Sequence, residues 1–238
     1  MKEINYLISD KIFNLFPGYR RGVVIAHHVI NGESPQELVE MLRTAEDSVR
    51  ERLALDSLAS HPRITSWREA YRAFGASPGK FRSSIEAMVR RVLRGQELPL
   101  INTLVDLGNA FSLRYLVPTG GHAIDVLTSD IHLRAATGQE EFQAFGSEEV
   151  EHPQAGEIIF TEGNKAITRR WTWRQANHTL TLPTTKAIEF NIDGLPPVPE
   201  EEVREICIAL SGQIERFCGG STRWDILTKD NPRISLSP

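Results

Sequence analysis

Hydrophobic positions along this chain follow two periods, and the change from one to the other divides it. Gly22 to Ile30, GVVIAHHVI, is a continuous apolar run rich in β-branched residues, the pattern of a buried strand. His27 and His28 within it read as packed residues, because neighbours on a strand point to opposite faces. The mixed segment 1–17 predicts a first strand ahead of it. Leu38, Met41, Leu42, Ala45, Val49 and Leu53 then recur at helical spacing. Ser34-Pro35-Gln36-Glu37 predicts that helix's start, with Ser34 capping, Pro35 in the first turn and Glu37 completing a capping box. A shorter helix is expected over 67–74, ending near Gly75. A third carries Phe81, Ile85, Met88, Val89, Val92 and Leu93 on one face and Arg82, Arg90, Arg91 and Arg94 on the other, and stops at Gly95.

Past residue 100 the period becomes two. Ile131, Leu133 and Ala135 alternate with His132, Arg134 and Ala136, and further strands are expected over 157–161, 166–173, 179–182 and 187–192. A Pro-rich link, Leu195 to Pro199, leads to a last helix over 200–217 that buries Val203, Ile206, Cys207, Leu210, Ile214 and Phe217. The order is a strand, three helices, a β-rich half and one helix. That is an α+β pattern. With no repeat or long linker, residues 1–238 read as a single compact domain, the first ~60 forming a partly separate layer. Between the halves lies Leu98 to Asp125: an apolar segment, a polar turn, a second apolar segment and the loop Pro118-Thr119-Gly120-Gly121-His122. The glycine pair lets backbone approach a neighbour closely, and His122 follows it.

Composition adds limits. The chain is 40% hydrophobic and 24% charged, which leaves room for a substantial core. Cys207 and Cys218 match no zinc or redox spacing and suit a reduced, cytoplasmic protein. The N-terminus is not a signal peptide, and no run approaches the ~20 apolar residues a membrane span needs. A net charge of −4 argues against a polyanion binder as a whole. Yet Arg63 to Arg94 holds eight basic residues against Glu69 and Glu86. Such a face suits nucleic acid or is a solvated helix surface.

The chemistry-bearing motifs are few. No HExxH, zinc spacing, nucleophile elbow, Walker loop or dinucleotide fingerprint occurs, so no metal and no cofactor is expected. No covalent nucleophile declares itself. Water is then the expected nucleophile of any ester hydrolysis, which needs positioned donors and accurate substrate placement. Histidine's ordinary pKa of ~6.5 makes His122 a candidate for that water; it equally suits a turn. Thr184 and Thr185 offer hydroxyl donors or a strand end. Arg169-Arg170-Trp171-Thr172-Trp173-Arg174-Gln175 crowds arginine and tryptophan together, either to stack bases and pair phosphates or as a structural cation–π ladder. As a strand it would turn Arg169, Trp171 and Trp173 one way and Arg170, Thr172 and Arg174 the other.

Phe81 to Met88 (FRSSIEAM), Arg90 to Leu93, and Pro99 to Asn109 (PLINTLVDLGN) together resemble the B3/B4 domain, the editing domain of the phenylalanyl-tRNA synthetase beta subunit. Pro118 to Asp125 (PTGGHAID) is similar to that domain's histidine loop. Asp130–Arg134, Glu157–Phe160 and Thr184-Thr185 follow in matching order, so the resemblance covers roughly residues 60 to 195. It implies an α+β fold with a β-rich mixed-sheet core flanked by helices. It implies hydrolysis of the ester joining a wrong amino acid to tRNA, by a freestanding protein, since 238 residues leave no room for a synthetase core. On that resemblance His122, Thr184 and Thr185 are catalytic candidates. Asp106, Asn109, Gly120 and Gly121 frame the substrate, and Arg82, Arg90, Arg91 and Arg94 meet tRNA. The segment RRWTWRQ departs from the synthetase's small-residue segment, so Arg170, Trp171, Trp173, Arg174 and Gln175 should reshape the pocket. It resembles freestanding members, for which an arginine analogue such as canavanine on arginine tRNA is a plausible substrate. A cationic side chain needs a carboxylate, for which Asp125 and Glu189 are the candidates. The competing readings are a non-catalytic tRNA- or RNA-binding module and a ligand-binding domain sharing only the fold.

Overall fold

The computed structural model describes residues 3–238. The N-terminal part runs β1 (Asn5–Ile8), α1 (Asp10–Leu15), β2 (Arg20–His27), α2 (Gln36–Arg52), α3 (Pro62–Ala73), α4 (Ser84–Leu93) and α5 (Thr103–Tyr115). The β-rich part follows with β3 (Thr119–Ala123), β4 (Ile131–Ala135), β5 (Phe142–Gln143), β6 (Val150–Glu151), β7 (Ile158–Glu162), β8 (Lys165–Arg169), β9 (Arg174–Gln175) and β10 (Ala187–Gly194). Then come α6 (Glu200–Cys218), β11 (Ser221–Leu227) and β12 (Arg233–Ser235). One sheet has the order β12-β1-β4-β7-β8-β9 and a second β11-β2-β10-β3. The β1–β4 pair is parallel and its neighbours are antiparallel, so the larger sheet is mixed and the fold is α+β. Among the described residues no helix is long and apolar enough to cross a membrane.

The period-two alternation of β2 builds the layers. Val23 and Ile25 point to the larger sheet, packing in one cluster with Tyr6, Leu133 and Phe160. Val24 and Ala26 point the other way, to Leu107 and Phe111 of α5 and Val203, Ile206 and Leu210 of α6. The four-stranded sheet is therefore covered on both faces.

Several expectations need correction. The stretch 98–117 holds a helix, α5, where apolar segments flanking a polar turn were expected. The Asn102 side chain starts it by accepting from the Val105 amide at 3.1 Å. The expected Pro118–His122 loop is strand β3, paired with β10. The capping box at α2 does not form: no side chain caps that helix, and Ser34 Oγ donates to Asp106 at 2.6 Å instead. The strand expected over 166–173 stops at Arg169. Arg170 and Trp171 have φ of 46° and 63°, the left-handed region, which breaks the ladder. Trp171 thereby leaves the strand's alternation. It packs against Phe16, Trp67 and Tyr19 with ring centroids 4.8, 5.1 and 4.9 Å away. The strand expected over 179–182 is instead a 3₁₀ turn, Asn177–Thr179, followed by irregular chain. The segment 1–17 holds α1 as well as β1, with positions 1 and 2 outside the described residues. Strands β11 and β12 were not anticipated.

The loop after β4 is held by one carboxylate. Glu140 accepts from the Thr137 amide at 3.0 and 3.1 Å, the Gly138 amide at 3.1 Å and Arg134 at 2.5 Å. Burial raises its pKa, but these donors outweigh burial and hold it at about 2 against an ordinary 4.5. Because the folded value is the lower one, this stabilisation is complete above the ordinary value and is lost as pH falls towards about 2. Thermal melts should show Glu140→Gln less stable than wild type at neutral pH, with the gap closing as the medium is acidified towards about 2. A gap that does not change with pH would mean that the loop's stability is independent of this charge.

Candidate active site

Strand β10 reads Glu189-Phe190-Asn191-Ile192-Asp193, and the period of two sorts it into faces. Phe190 and Ile192 join the α5–α6 cluster. Glu189, Asn191 and Asp193 line up on the other face, between the two sheets. The register puts Arg21 of β2 opposite Asp193 and His122 of β3 opposite Glu189. Arg21, fully buried, donates to Asp193, to Asn191 Oδ1 at 2.8 Å and to the hydroxyls of Tyr6 and Tyr19. Its guanidinium also lies 4.4 Å from the Phe160 ring centroid. Burial disfavours its charge, but Asp193 and the two tyrosines outweigh that and raise its pKa well above the ordinary value. The Asn191 amide passes the row on, donating to Glu189 Oε1 at 3.1 Å.

His122 ends this row. Its Nδ1 is 2.5 Å from Glu189 Oε1 and its Nε2 is 2.8 Å from Thr168 Oγ1 on β8. A carboxylate accepts only, so Nδ1–H donates to Glu189, and in the neutral ring Nε2 accepts from Thr168. The Phe160 ring packs on the imidazole at 5.3 Å. Dyad and hydroxyl thus bridge the two sheets, and no single stretch of sequence contains them.

This bridge borders a cleft of about 490 Å³ between α4, α5, β3, the 171–175 turn and the 180–183 segment. Its walls are mainly apolar, with Met88, Phe160, Ile188 and Phe190. Ile101, Leu182 and the 70% exposed Phe145 stand at residues with high exposure around it. Thr119 also borders the cleft, but its Oγ1 is buried on the Ile192 face of β3 with no partner among the described residues. Of the candidates from sequence, Asn109, Gly120, Gly121, His122, Trp171, Trp173, Arg174 and Gln175 border it.

The others lie elsewhere. Thr184 is exposed and Thr185 Oγ1 accepts from the Leu182 amide at 2.9 Å, so that pair closes a turn beside the cleft. Asp125 accepts from the Lys186 amide at 2.8 Å at the surface. Asp106 accepts from Ser34 and the Ile101 amide, which orders the chain leading into α5; burial raises its pKa. Glu189 does not border the cleft: it is fully buried, its Oε1 held by His122 and Asn191 and its Oε2 without a partner among the described residues. Arg170 stacks on Phe81 at 3.6 Å and on Trp173 at 4.4 Å, and Arg169 pairs with Glu157 and Glu151. Thr168, Arg21, Asn191 and Asp193 were missed. The available signal was the polar alternation Glu-Phe-Asn-Ile-Asp inside a strand otherwise buried.

The basic helix face divides in two. Arg68 and Arg90 converge on the buried Glu86 at 2.8 and 2.9 Å, with Arg82 at 4.0 Å. Arg91 and Arg94 are exposed and line a second groove that shares Met88 and Asn109 with the cleft. Among the described residues no three His, Cys, Asp or Glu side chains gather to hold a metal ion.

The profile of the B3/4 domain matches residues 66–208. Among similar solved structures is an N-terminal fragment of the phenylalanyl-tRNA synthetase beta subunit from Pyrococcus horikoshii. It is 11% identical with a TM-score of 0.45, and the match covers 93% of this chain and 51% of that one. This chain thus spans about half of that fragment's length. No curated protein sequence matches.

The two glycines before His122 have different reasons to be glycine. A Cβ on Gly121 would sit 2.6 Å from the Glu189 carbonyl oxygen and 2.9 Å from Ile188 Cδ1, whereas one on Gly120 meets no protein atom within 4 Å. Gly121→Ala should therefore lower the melting temperature, through a backbone clash in the β3–β10 pair. Gly120→Ala should keep wild-type stability and weaken ligand binding in the cleft. Equal melting temperatures for the two variants would count against this division.

Proposed function

This chain belongs to the B3/4 domain family, and from that premise we propose that it is an aminoacyl-tRNA deacylase acting in trans. The observation that carries the reading is the His122–Glu189 pair at the edge of an apolar cleft that adjoins an arginine groove. Hydrolysis of an aminoacyl ester needs a base for water, a donor for the carbonyl oxygen as it gains charge, and a place for both halves of the substrate. His122, oriented through Nδ1 by Glu189, is the base. Backbone N–H groups around Gly120-Gly121 on the edge strand β3 serve the developing oxyanion. The aromatic walls take the amino acid. The groove of Arg91 and Arg94 takes the phosphates of the tRNA end.

We further propose an arginine analogue such as canavanine, esterified to arginine tRNA, as the substrate. Among the cleft-bordering residues the acid is Asp193, which Arg21 already engages. A cationic side chain would then rest on the half-buried Trp173 ring, on the face away from Arg170. The experiment is a panel of mischarged tRNAs scored for amino-acid release: canavanine and arginine on arginine tRNA, and tyrosine on phenylalanine tRNA. Canavanine should be released fastest. Preferred release of tyrosine would sink the substrate assignment, and tRNA binding without release from any member would favour a non-catalytic RNA-binding module.

Two variants test the parts. His122→Ala should slow release by roughly 10²–10⁴-fold, the range of a positioned acid–base group, with the circular dichroism spectrum unchanged. Wild-type release by that folded variant would remove His122 from the chemistry. Charge reversal of Arg91 and Arg94 together should weaken tRNA binding and flatten its salt dependence by about one unit of slope per residue. Release from a minimal aminoacyl-adenosine ester should stay the same. Arg90 is left out because it is bound to Glu86. An unchanged salt slope would make this face an ordinary solvated surface.

A further inference from the structure

Both ring nitrogens of His122 are already engaged by the protein, Nδ1 with Glu189 and Nε2 with Thr168. The ring is nearly fully buried. The ring borders the cleft with both nitrogens covered, so its basicity passes to the cleft through the group on Nε2, and that group, Thr168, also borders the cleft. We propose that Thr168 is a catalytic residue whose hydroxyl relays the proton between the attacking water and His122. This rests on the deacylase reading and adds the residue that meets the water.

The hydroxyl is built for a relay. Thr168 Oγ1 lies 2.8 Å from His122 Nε2 and 2.9 Å from the Ile167 carbonyl oxygen, so its proton has an acceptor on either side. A hydroxyl has one proton to give and two lone pairs to receive another. Thr168 is β-branched and sits in β8, where χ1 is restricted, so the oxygen keeps its place through the cycle. In the forward step the water oxygen bonds to the ester carbonyl carbon. The water's proton passes to Thr168 Oγ1 as the Thr168 proton passes to His122 Nε2, and Glu189 holds the resulting imidazolium. When the intermediate collapses, the bond from carbonyl carbon to ribose oxygen breaks. The proton returns from Nε2 through Thr168 to that oxygen. Free amino acid and tRNA with a restored hydroxyl are released, and water is the only co-reactant.

The test uses the full chain with the most rapidly released mischarged tRNA from the panel. Thr168→Val keeps the shape and removes the hydroxyl, and Thr168→Ser restores the hydroxyl. Thr168→Val should slow release by roughly 10²–10⁴-fold, as His122→Ala does. The double variant should be no slower than the slower single one, because residues acting as one unit are not additive. Thr168→Ser should recover most of the rate. Nitrogen NMR of His122 provides a readout independent of turnover: Thr168→Val should move the Nε2 resonance, and Thr168→Ser should return it. Near-wild-type release by folded Thr168→Val, or losses that multiply in the double variant, would overturn the relay. So would an aminoacyl adduct on Thr168 in the mass spectrum of a quenched single turnover, which would make the hydroxyl a nucleophile. Absence of release from every member by the wild type would instead defeat the deacylase reading and take the relay with it.

Discussion

A guanidinium with no access to water has to be neutralised where it stands, and Arg21 imposes that condition on both sheets. Its charge lies between them, engaged by Asp193, Asn191, Tyr6 and Tyr19. Removing one partner of a buried pair leaves a bare charge, which typically costs about 3–5 kcal/mol. The requirement is geometric as well. Tyr6 belongs to the larger sheet, whereas Asp193 and Asn191 belong to the smaller one. The register of β2 on β10 and the spacing of the sheets must satisfy the same cation together.

The same strand also orients the candidate active site. Asp193, Asn191 and Glu189 sit two residues apart on β10 and share one face, where the β2 ladder sets Asp193 against Arg21 and the β3 ladder sets Glu189 against His122. Asn191 joins the two ends, accepting from Arg21 and donating to Glu189. The imidazole is fixed at Nδ1 by the smaller sheet and at Nε2 by Thr168 of the larger one. Its orientation is a property of how the two sheets pack.

The left-handed turn at Arg170-Trp171 separates neighbours that sequence would keep together. Trp171 enters the core against Phe16, Tyr19 and Trp67, while Trp173 stays half-buried at the cleft with Arg170 stacked on it. The turn is tied to the start of α4, where the Ser84 amide donates to the Thr172 carbonyl at 2.9 Å. One wall of the cleft is thereby attached to the helix that carries Arg91 and Arg94.

The hydrophobic pattern alone determined the α+β class, the helices α2, α4 and α6, whose buried stripes recur at helical spacing, and the strands β2, β4, β7 and β10, which are short apolar or alternating runs. The B3/B4 resemblance and the importance of His122 as a candidate were legible too, since both rest on short contiguous residues. Helix α5 was not, because Asp106 and Asn109 interrupt its apolar spacing and its start depends on Asn102. The turn at Arg170-Trp171 was hidden because side-chain pattern carries no φ. Tertiary structure alone decided that Glu189 bonds His122 away from the cleft, that Asp125 lies at the surface, that Thr184-Thr185 closes a turn beside the cleft, and that Thr168 faces the imidazole. The physical reason is that these pairings join β2, β3, β8 and β10 across two sheets. Local sequence determines which way a side chain points from its own strand, and only the packing of the sheets determines what it meets there.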